Sequence, residues 1–186
     1  LMRMDPGLDT GPMFVQRAIP IRPRETAASL HDRLAALGGA LLRDSLPGIL
    51  AGDIRPQPQD DAQSTYAPMI QKEAGQLDWS ETAAALDRRI RAMTPWPGAF
   101  TTWNGQHFKI LAAHPADFAL PAGPPGQVLA LETVADTGAE TVSAVVLTGS
   151  GGLVLDQVQL AGKRAADTAD FLRGRPDLPG SILGAT

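Results

Sequence analysis

Short apolar segments separated by Gly or Pro fill residues 99–160, and this punctuation constrains the fold more than any other feature of the chain. Such short segments favour strands over helices, which usually need ten residues or more. Five strands are predicted, over residues 99–103, 107–113, 126–131, 141–148 and 152–160. Gly in the gaps permits the tight turns that join antiparallel strands. The pattern therefore predicts a small barrel or sandwich.

A long amphipathic helix is predicted over residues 26–51. A stripe of leucines recurs there at helical spacing, formed by Leu30, Leu34, Leu37 and Leu41. Thr26 is suited to cap the helix and Gly52 to end it. Pro47 should kink or restart the helix, because proline lacks the amide proton that a helix interior needs.

The remaining elements follow from the same signals. Residues 58–76 contain the expected boundary between two structural units, after a stretch with little apolar content. A second helix is predicted from Ser80 to the Pro-Trp-Pro-Gly sequence at 95–98, and a third over residues 167–173. The tail, residues 176–186, is expected to be extended and partly loose.

Asp9 lies in a Gly-rich bend between two predicted strands, residues 1–5 and 13–19. A carboxylate held in such a bend is a candidate general acid or base, because loop backbone can fix its position and shift its pKa. An aspartate in a bend can equally tie its own loop through an Asx-turn. Residue type and spacing leave both roles open.

The composition excludes several kinds of site. The 186 residues include no Cys, so a disulfide framework, a thiolate metal site and a Cys nucleophile are excluded. No continuous run approaches the ~20 apolar residues of a membrane span, so no membrane partner is expected. The formal net charge is −4, so bulk charge does not indicate a nucleic-acid partner.

Histidine gives no metal site in this sequence. His31 precedes an Asp on the first predicted helix, and the other two are His107 and His114. Those two lie seven residues apart in predicted strands, so the two-residue strand period places them on opposite faces of the sheet. Structural or surface roles are expected for all three, and no metal is expected.

Basic side chains in the second half of the chain could form a surface that follows a phosphate backbone. They are Arg88, Arg91, Lys109, Lys163 and Arg164. A solvated helix face is the alternative for the helical pair, since Asp87 can pair with Arg91 one turn away. Residues 77–186 contain eight Lys and Arg against eleven Asp and Glu, a net charge of −3.

Read in order, several stretches resemble the methionyl-tRNA formyltransferase family. They are Met4-Asp5-Pro6-Gly7-Leu8-Asp9-Thr10-Gly11-Pro12-Met13, Leu30-His31-Asp32-Arg33-Leu34, Thr65-Tyr66-Ala67-Pro68-Met69-Ile70-Gln71-Lys72-Glu73, Leu77-Asp78-Trp79, Ile90-Arg91-Ala92, Pro95-Trp96-Pro97-Gly98-Ala99, Gly162-Lys163-Arg164 and Phe171-Leu172-Arg173-Gly174. The resemblance covers nearly the whole chain. The combination is specific, although the GLDTG bend also suits other formyl-folate enzymes.

The resemblance implies an α+β fold in three parts. Residues 1–57 would be the C-terminal part of a Rossmann-like α/β formyltransferase domain. Residues 58–76 would be the interdomain linker, and residues 77–186 a small OB-like β-barrel that binds tRNA. The basic residues named above, Arg88, Arg91, Lys109, Lys163 and Arg164, would then contact tRNA.

The resemblance also implies a reaction. The family transfers a formyl group from 10-formyltetrahydrofolate to the methionyl group of initiator tRNA, with an Asn, a His and an Asp as catalytic residues. Asp9 would be that Asp, and Pro6, Gly7 and Leu8 would pass the pterin ring of the folate. The Asn and His would lie upstream of Leu1, so this chain alone is expected to be inactive.

The expected whole is a cytoplasmic, monomeric enzyme whose partner is initiator methionyl-tRNA and not DNA. Two alternatives remain at this point. One is an RNA-binding barrel without chemistry of its own. The other is a related formyl-folate enzyme with a substrate other than tRNA, which the stretch from Thr65 to Glu73 and the Gly162-Lys163-Arg164 sequence argue against.

Overall fold

The computed structural model describes residues 1–134 and 140–185, and the chain divides into two compact units, residues 1–69 and 70–186. Three helices occur in the described residues: α1 (Ala27–Ala51), α2 (Ala83–Met93) and α3 (Thr168–Gly174). Six strands occur there: β1 (Ala99–Trp103), β2 (Gln106–Pro115), β3 (Val128–Val134), β4 (Glu140–Leu147), β5 (Gly152–Leu160) and β6 (Ala166–Asp167). Short 3-10 helices span Asp61–Gln63 and Lys72–Gly75.

Helix α1 confirms the caps predicted for it. The Thr26 side chain accepts a hydrogen bond from the Ser29 amide, and the Ser29 side chain accepts one from the Thr26 amide. Gly52 ends the helix in the left-handed region, at φ 82°. Pro47 lies inside one continuous helix rather than at a restart.

The leucine stripe of α1 does not form a core within the first unit. Leu34 is 47% exposed, and Ser45 is the buried residue of this helix. Among the described residues, α1 is the helix long and apolar enough to cross a membrane by length and composition. A core helix of a soluble protein meets the same criteria of length and composition.

The strand predicted over residues 13–19 does not form. Met13 makes isolated antiparallel bridges to Met2 and to Gln57, and the residues after it join no ladder in the described chain. An apolar segment becomes a strand only where a neighbour satisfies its backbone groups. Here the backbone bonds continue from Met13 to Phe14 and Val15, which pair with Leu1, and no strand ladder forms beyond them in the described residues.

The second unit contains an antiparallel sheet in the order β1-β2-β5-β4-β3, with β6 paired to β5. The predicted strands are confirmed within a few residues. Strand β2 carries a bulge between Ile110 and Ala113 where it pairs with β5. A bulge of this kind increases local twist and shifts the alternation of faces along a strand.

The sheet is not closed, so the prediction of an OB-like barrel is not confirmed. In the described residues the edge strands β1 and β3 do not pair with each other. The C-terminal segment lies beside both edges instead. The amides of Gly180 and Gly184 donate to the carbonyls of Val128 (2.8 Å) and Thr102 (2.9 Å). This segment occupies the place where direct pairing would close a barrel.

The core of the second unit is built from both sheet and helices. Leu86 and Ile90 of α2 are buried against Phe108 and Ile110 of β2. The tail was predicted to be extended and partly loose, but it is anchored to the core, because Leu178 and Leu183 belong to the same buried cluster. Their burial anchors the segment that lies along the two sheet edges.

Candidate functional site

Asp5, rather than Asp9, ties the Gly-rich bend together. Its Oδ1 accepts hydrogen bonds from the Gly7 amide (3.0 Å) and from the Thr10 hydroxyl (2.7 Å). This is the Asx-turn role that the sequence left open for Asp9. The bend therefore keeps its shape without using the Asp9 carboxylate.

The two glycines of the bend are required by close approach. A Cβ atom at Gly7 would lie 2.0 Å from the Thr10 hydroxyl oxygen. A Cβ atom at Gly11 would lie 1.8 Å from the Arg3 carbonyl oxygen, which is backbone and cannot move aside. Packing this tight fixes the path of the chain on both sides of Asp9.

Asp9 itself is exposed and adopts a left-handed backbone conformation, at φ 55°. This region is uncommon for residues other than Gly and is tolerated best by Asp and Asn. Within the described part of the chain, the Asp9 carboxylate accepts no hydrogen bond. Its oxygens are thus available to a group outside this bend, as a general acid, base or polarising group requires.

The residues predicted to contact folate share this bend. The Leu8 side chain is 87% exposed, so it offers apolar surface to a flat ring. The Gly7 amide is engaged by Asp5 and has no donor left for a ligand. The bend thus suits a ring contact through Leu8 and the backbone of Pro6, with the Asp9 carboxylate one residue further on.

A residue far along the chain holds the bend, and the sequence reasoning missed it. The Gln59 side-chain amide donates to the carbonyl oxygens of Asp9 (2.8 Å) and Gly11 (2.7 Å). Next to it, Met13 and Gln57 exchange two backbone hydrogen bonds of 2.8 Å. A lone Gln in a Pro-rich connection gives no local signal, because its partners lie about fifty residues away.

The two arginines proposed on α2 differ in their surroundings. Arg88 is exposed. Arg91 forms an ion pair with Asp87 (3.1 Å), and both side chains are mostly covered. The Asp87–Arg91 bond of the alternative considered for this pair therefore forms, but the arginine on the solvated side of the helix is Arg88.

Lys109 lies on the opposite face of the sheet from α2. On β2, Phe108 and Ile110 point into the core that α2 covers, so Lys109 between them points outward. It pairs across the sheet with Phe100 on one side and Gln159 on the other. The Gln159 side chain donates to the Lys163 carbonyl (2.9 Å), which brings the exposed turn with Lys163 and Arg164 to this face.

This outer face contains a shallow hollow that the sequence did not indicate. It has a volume of about 160 Å³ and is lined by His107, Lys109, Gln159 and the Ala161–Gly162 turn. The His107 ring stacks on Phe100 with centroids 4.6 Å apart. The i, i+2 spacing of His107 and Lys109 on a strand could have predicted that the two share a face.

The prediction that His107 and His114 face opposite sides of the sheet was wrong. Ile110 and Ala113 are both buried although they are three residues apart, because the β2 bulge shifts the alternation between them. Both histidines thus point away from the core. His114 contacts Asp156 (2.9 Å), and within the described residues no three potential ligands gather as a metal site requires.

Comparison with known proteins identifies the family. A family model described as the formyl transferase C-terminal domain matches residues 69–176. The chain belongs to the formyl transferase family. This match lies almost wholly within the second unit of the formyl transferase chain, which holds the antiparallel sheet.

Curated relatives match nearly the whole of this formyl transferase chain. A methionyl-tRNA formyltransferase of Myxococcus xanthus is 46% identical over 97% of the chain and 54% of its own length. A methionyl-tRNA formyltransferase of Pelobacter propionicus is 43% identical over 98% of the chain and 54% of its own length. The resemblance predicted from the sequence is confirmed, and the chain spans about half the length of these relatives.

Solved structures share the fold. HypX from Aquifex aeolicus in complex with tetrahydrofolic acid superposes with a TM-score of 0.66 at 20% identity, over 97% of this chain and 30% of that one. WlaRD, a sugar 3N-formyl transferase solved with dTDP and 5-N-formyl-THF, gives a TM-score of 0.59 at 17% identity, over 88% of this chain and 54% of that one. These likenesses show that the α+β fold of the chain is shared with both solved structures.

Proposed function

We propose that the chain is the C-terminal part of a methionyl-tRNA formyltransferase, which transfers formyl from 10-formyltetrahydrofolate to methionyl initiator tRNA. The observation that carries this proposal is the match to relatives of that name at 40–46% identity over nearly the whole chain. An RNA-binding module without chemistry, or an enzyme for another substrate, is not favoured by those relatives.

In this proposal Asp9 is the catalytic carboxylate. It polarises a His and a water supplied by the rest of the catalytic domain, so that protons leave the attacking amine during transfer. Its support is geometric, since the carboxylate is exposed while Asp5, Gly7 and Gln59 hold the surrounding backbone. Pro6, Gly7 and Leu8 pass the pterin ring of the folate, with Leu8 giving the apolar contact.

The domain assignment follows the same proposal. Residues 1–57 belong to the catalytic domain, residues 58–76 form the linker, and residues 77–186 form the domain that binds tRNA. The break between the two compact units, between Met69 and Ile70, falls within the proposed linker. The open sheet would bind nucleic acid as OB folds do, through its outer face. This part of the proposal is supported by the exposure of that face, which bases and phosphates can reach.

Lys109, Lys163 and Arg164 are the strongest tRNA contacts in this proposal. Lys109 lines the outer-face hollow beside the Phe100–His107 stack, and the exposed turn that carries Lys163 and Arg164 is joined to this face by the hydrogen bond from Gln159 to the Lys163 carbonyl. Arg88 on α2 is an exposed second contact. Arg91 is the weakest of the five, since Asp87 already neutralises it. Concentrating positive charge on one face lets a domain with net negative charge bind a polyanion.

The proposed enzyme is cytoplasmic and monomeric, requires no metal, and has tRNA rather than DNA or a membrane as its partner. The names of the relatives support tRNA as the partner, and the other features are part of the proposal.

Formyl transfer to methionyl initiator tRNA, measured with the full-length protein that contains this chain, tests the proposal. Asp9→Asn should lower the rate by about 10²- to 10⁴-fold, the range typical of a lost general acid or base. Asp32→Asn, an exposed aspartate of α1, is the matched control and should keep the parent rate. No transfer by the parent, or an unchanged rate for Asp9→Asn, would contradict the proposal.

A further inference from the structure

We propose that Gln59 is a positioning residue for catalysis, which holds the backbone of the Asp9 bend through its side-chain amide. The inference rests on the proposed role of Asp9 and extends it to a residue in the connection after α1. Among the described residues, the Gln59 side chain donates to backbone carbonyl oxygens and not to the Asp9 carboxylate. It acts through the carbonyl oxygens on both sides of Thr10.

The hydrogen-bonding capacity of Gln59 matches its surroundings. A side-chain amide nitrogen carries two donor protons, and here two carbonyl oxygens accept from it, Asp9 O at 2.8 Å and Gly11 O at 2.7 Å. Glu has the same length but, when ionised, only accepts hydrogen bonds. The site therefore selects a donor of this length, and Gln is the side chain that supplies both bonds.

The backbone of Asp9 explains why such a brace is useful. Its φ of 55° lies in a region that costs free energy for a residue with a side chain, and such residues persist where the surroundings hold them. Asp5 fixes the start of the bend, and Gln59 fixes its end. With both ends fixed, the direction of the Asp9 side chain is set before any substrate arrives.

The position of Gln59 is itself fixed by the chain around it. Two residues earlier, Gln57 and Met13 exchange backbone hydrogen bonds, which lay this segment along the outgoing side of the bend. The exposed Gln57 side chain takes no part in that exchange. Gln57→Ala is thus a matched control, which removes the same side chain two residues away and leaves the brace intact.

The test uses the full-length protein and two independent readouts, the order parameters of the Asp9, Thr10 and Gly11 amides and the steady-state kinetics of formyl transfer. In Gln59→Ala we expect the order parameters to fall from about 0.85 to below about 0.6. We expect kcat to fall by roughly 10- to 100-fold, with KM for methionyl-tRNA within about twofold, because misplaced groups slow chemistry more than they weaken remote binding. Gln57→Ala should match the parent in both.

Gln59→Glu adds a pH-dependent test that a general loss of folding would not produce. Above the Glu pKa the carboxylate repels both carbonyl oxygens, and the bend should be at least as mobile as in Gln59→Ala. Protonation restores one O–H donor, so the order parameters should recover as the pH falls through the pKa of the introduced carboxyl. Gln59→Ala should show no such recovery.

The two proposals can fail separately. Parent-like order parameters and kcat in Gln59→Ala would overturn the positioning role, whatever the reaction. Absence of formyl transfer by the parent would overturn the proposed function, while the order parameters would still decide whether Gln59 holds the bend.

Discussion

The two units of the chain differ in what they bury. In residues 1–69 the buried residues are Gly11, Glu25 and Ser45, none of which has a large apolar side chain. Every buried hydrophobic residue of the described chain lies between Leu77 and Leu183, in the second unit. Burial of apolar surface is the main favourable term in folding. The second unit therefore contains the means to fold by itself, whereas the first consists of a helix, a bend and the hydrogen bonds that join them.

The difference also separates the two proposed tasks. The Asp9 bend depends on hydrogen bonds that Asp5 accepts and Gln59 donates rather than on a core, so its geometry is sensitive to single polar groups. The proposed tRNA-binding face, with Lys109, Lys163 and Arg164, belongs to a packed sheet. Loss of one of these side chains should therefore leave the shape of the face unchanged. Catalytic positioning and tRNA binding should thus respond differently to mutation.

Core truncation should give the largest contrast. Phe108 is fully buried, with ring centroids 5.8 Å from Trp103 and 5.4 Å from Phe171. Phe108→Ala should lower the unfolding free energy of the second unit by about 3–5 kcal/mol. Denaturant unfolding followed by tryptophan fluorescence measures this, because all three Trp lie in that unit.

Leu46→Ala on α1 is the partner experiment, since this side chain is 42% exposed. In the 186-residue chain it should change the stability of α1 by less than about 0.5 kcal/mol. In the full-length protein Leu46→Ala should lower the unfolding free energy by about 2–5 kcal/mol, because the rest of the proposed catalytic domain is expected to cover the side of α1 that carries Leu46. An equally small stability change in the 186-residue chain and in the full-length protein would contradict the expectation that α1 is covered in the full-length protein.

Glycine substitutions should give effects of opposite sign in the two units. A Cβ at Gly149 would lie 1.8 Å from the Ser80 carbonyl oxygen, so Gly149→Ala should destabilise the second unit by about 1–3 kcal/mol. Gly39 lies inside α1 with nothing within 4 Å of an added Cβ. Gly39→Ala should stabilise that helix by about 0.5–1 kcal/mol. Amide hydrogen exchange measures the stability change in both variants. A destabilised α1 in Gly39→Ala would show that another part of the protein already contacts this helix at Gly39.

A smaller effect should appear in the titration of Glu25. Hydrogen bonds from the Arg33 guanidinium and the Arg22 amide hold the pKa of Glu25 below its ordinary value of 4.5. A lowered folded pKa stabilises the Arg22–Glu25 turn above the unfolded pKa, and this contribution is lost as the pH falls through the folded pKa. Carboxyl NMR titration should show the Glu25 pKa returning towards 4.5 in Arg33→Gln. An unchanged pKa in that variant would contradict the assignment.

Local sequence signals were sufficient to predict those features of the structure that depend on residues close together in the sequence. The caps at Thr26 and Gly52 were predicted because capping uses residues within one turn. The strands of the second unit were predicted because Gly and Pro punctuate every connection. The Asp9 bend was predicted as a site through resemblance and its Gly-rich sequence.

The features that escaped prediction depend on residues distant in sequence. The open sheet follows from the tail, which lies against β3 and β1 and depends on burial of Leu178 and Leu183. The shared face of His107 and His114 follows from a bulge that only pairing with β5 reveals. The role of Gln59 follows from a contact across about fifty residues. No local pattern contains such information.

The division of tasks between the two units is tested most directly by a kinetic comparison in the full-length protein. Formyl transfer is measured against methionyl-tRNA concentration for Asp9→Asn and for the double variant Lys163→Gln, Arg164→Gln, with Arg173→Gln as the exposed basic control. We expect Asp9→Asn to lower kcat with little change in KM. We expect the double variant to raise KM, to keep kcat, and to reduce the slope of log affinity against log salt by about 0.7–0.9 per lost contact. A double variant that lowers kcat alone, or an Asp9→Asn variant that only raises KM, would contradict the account.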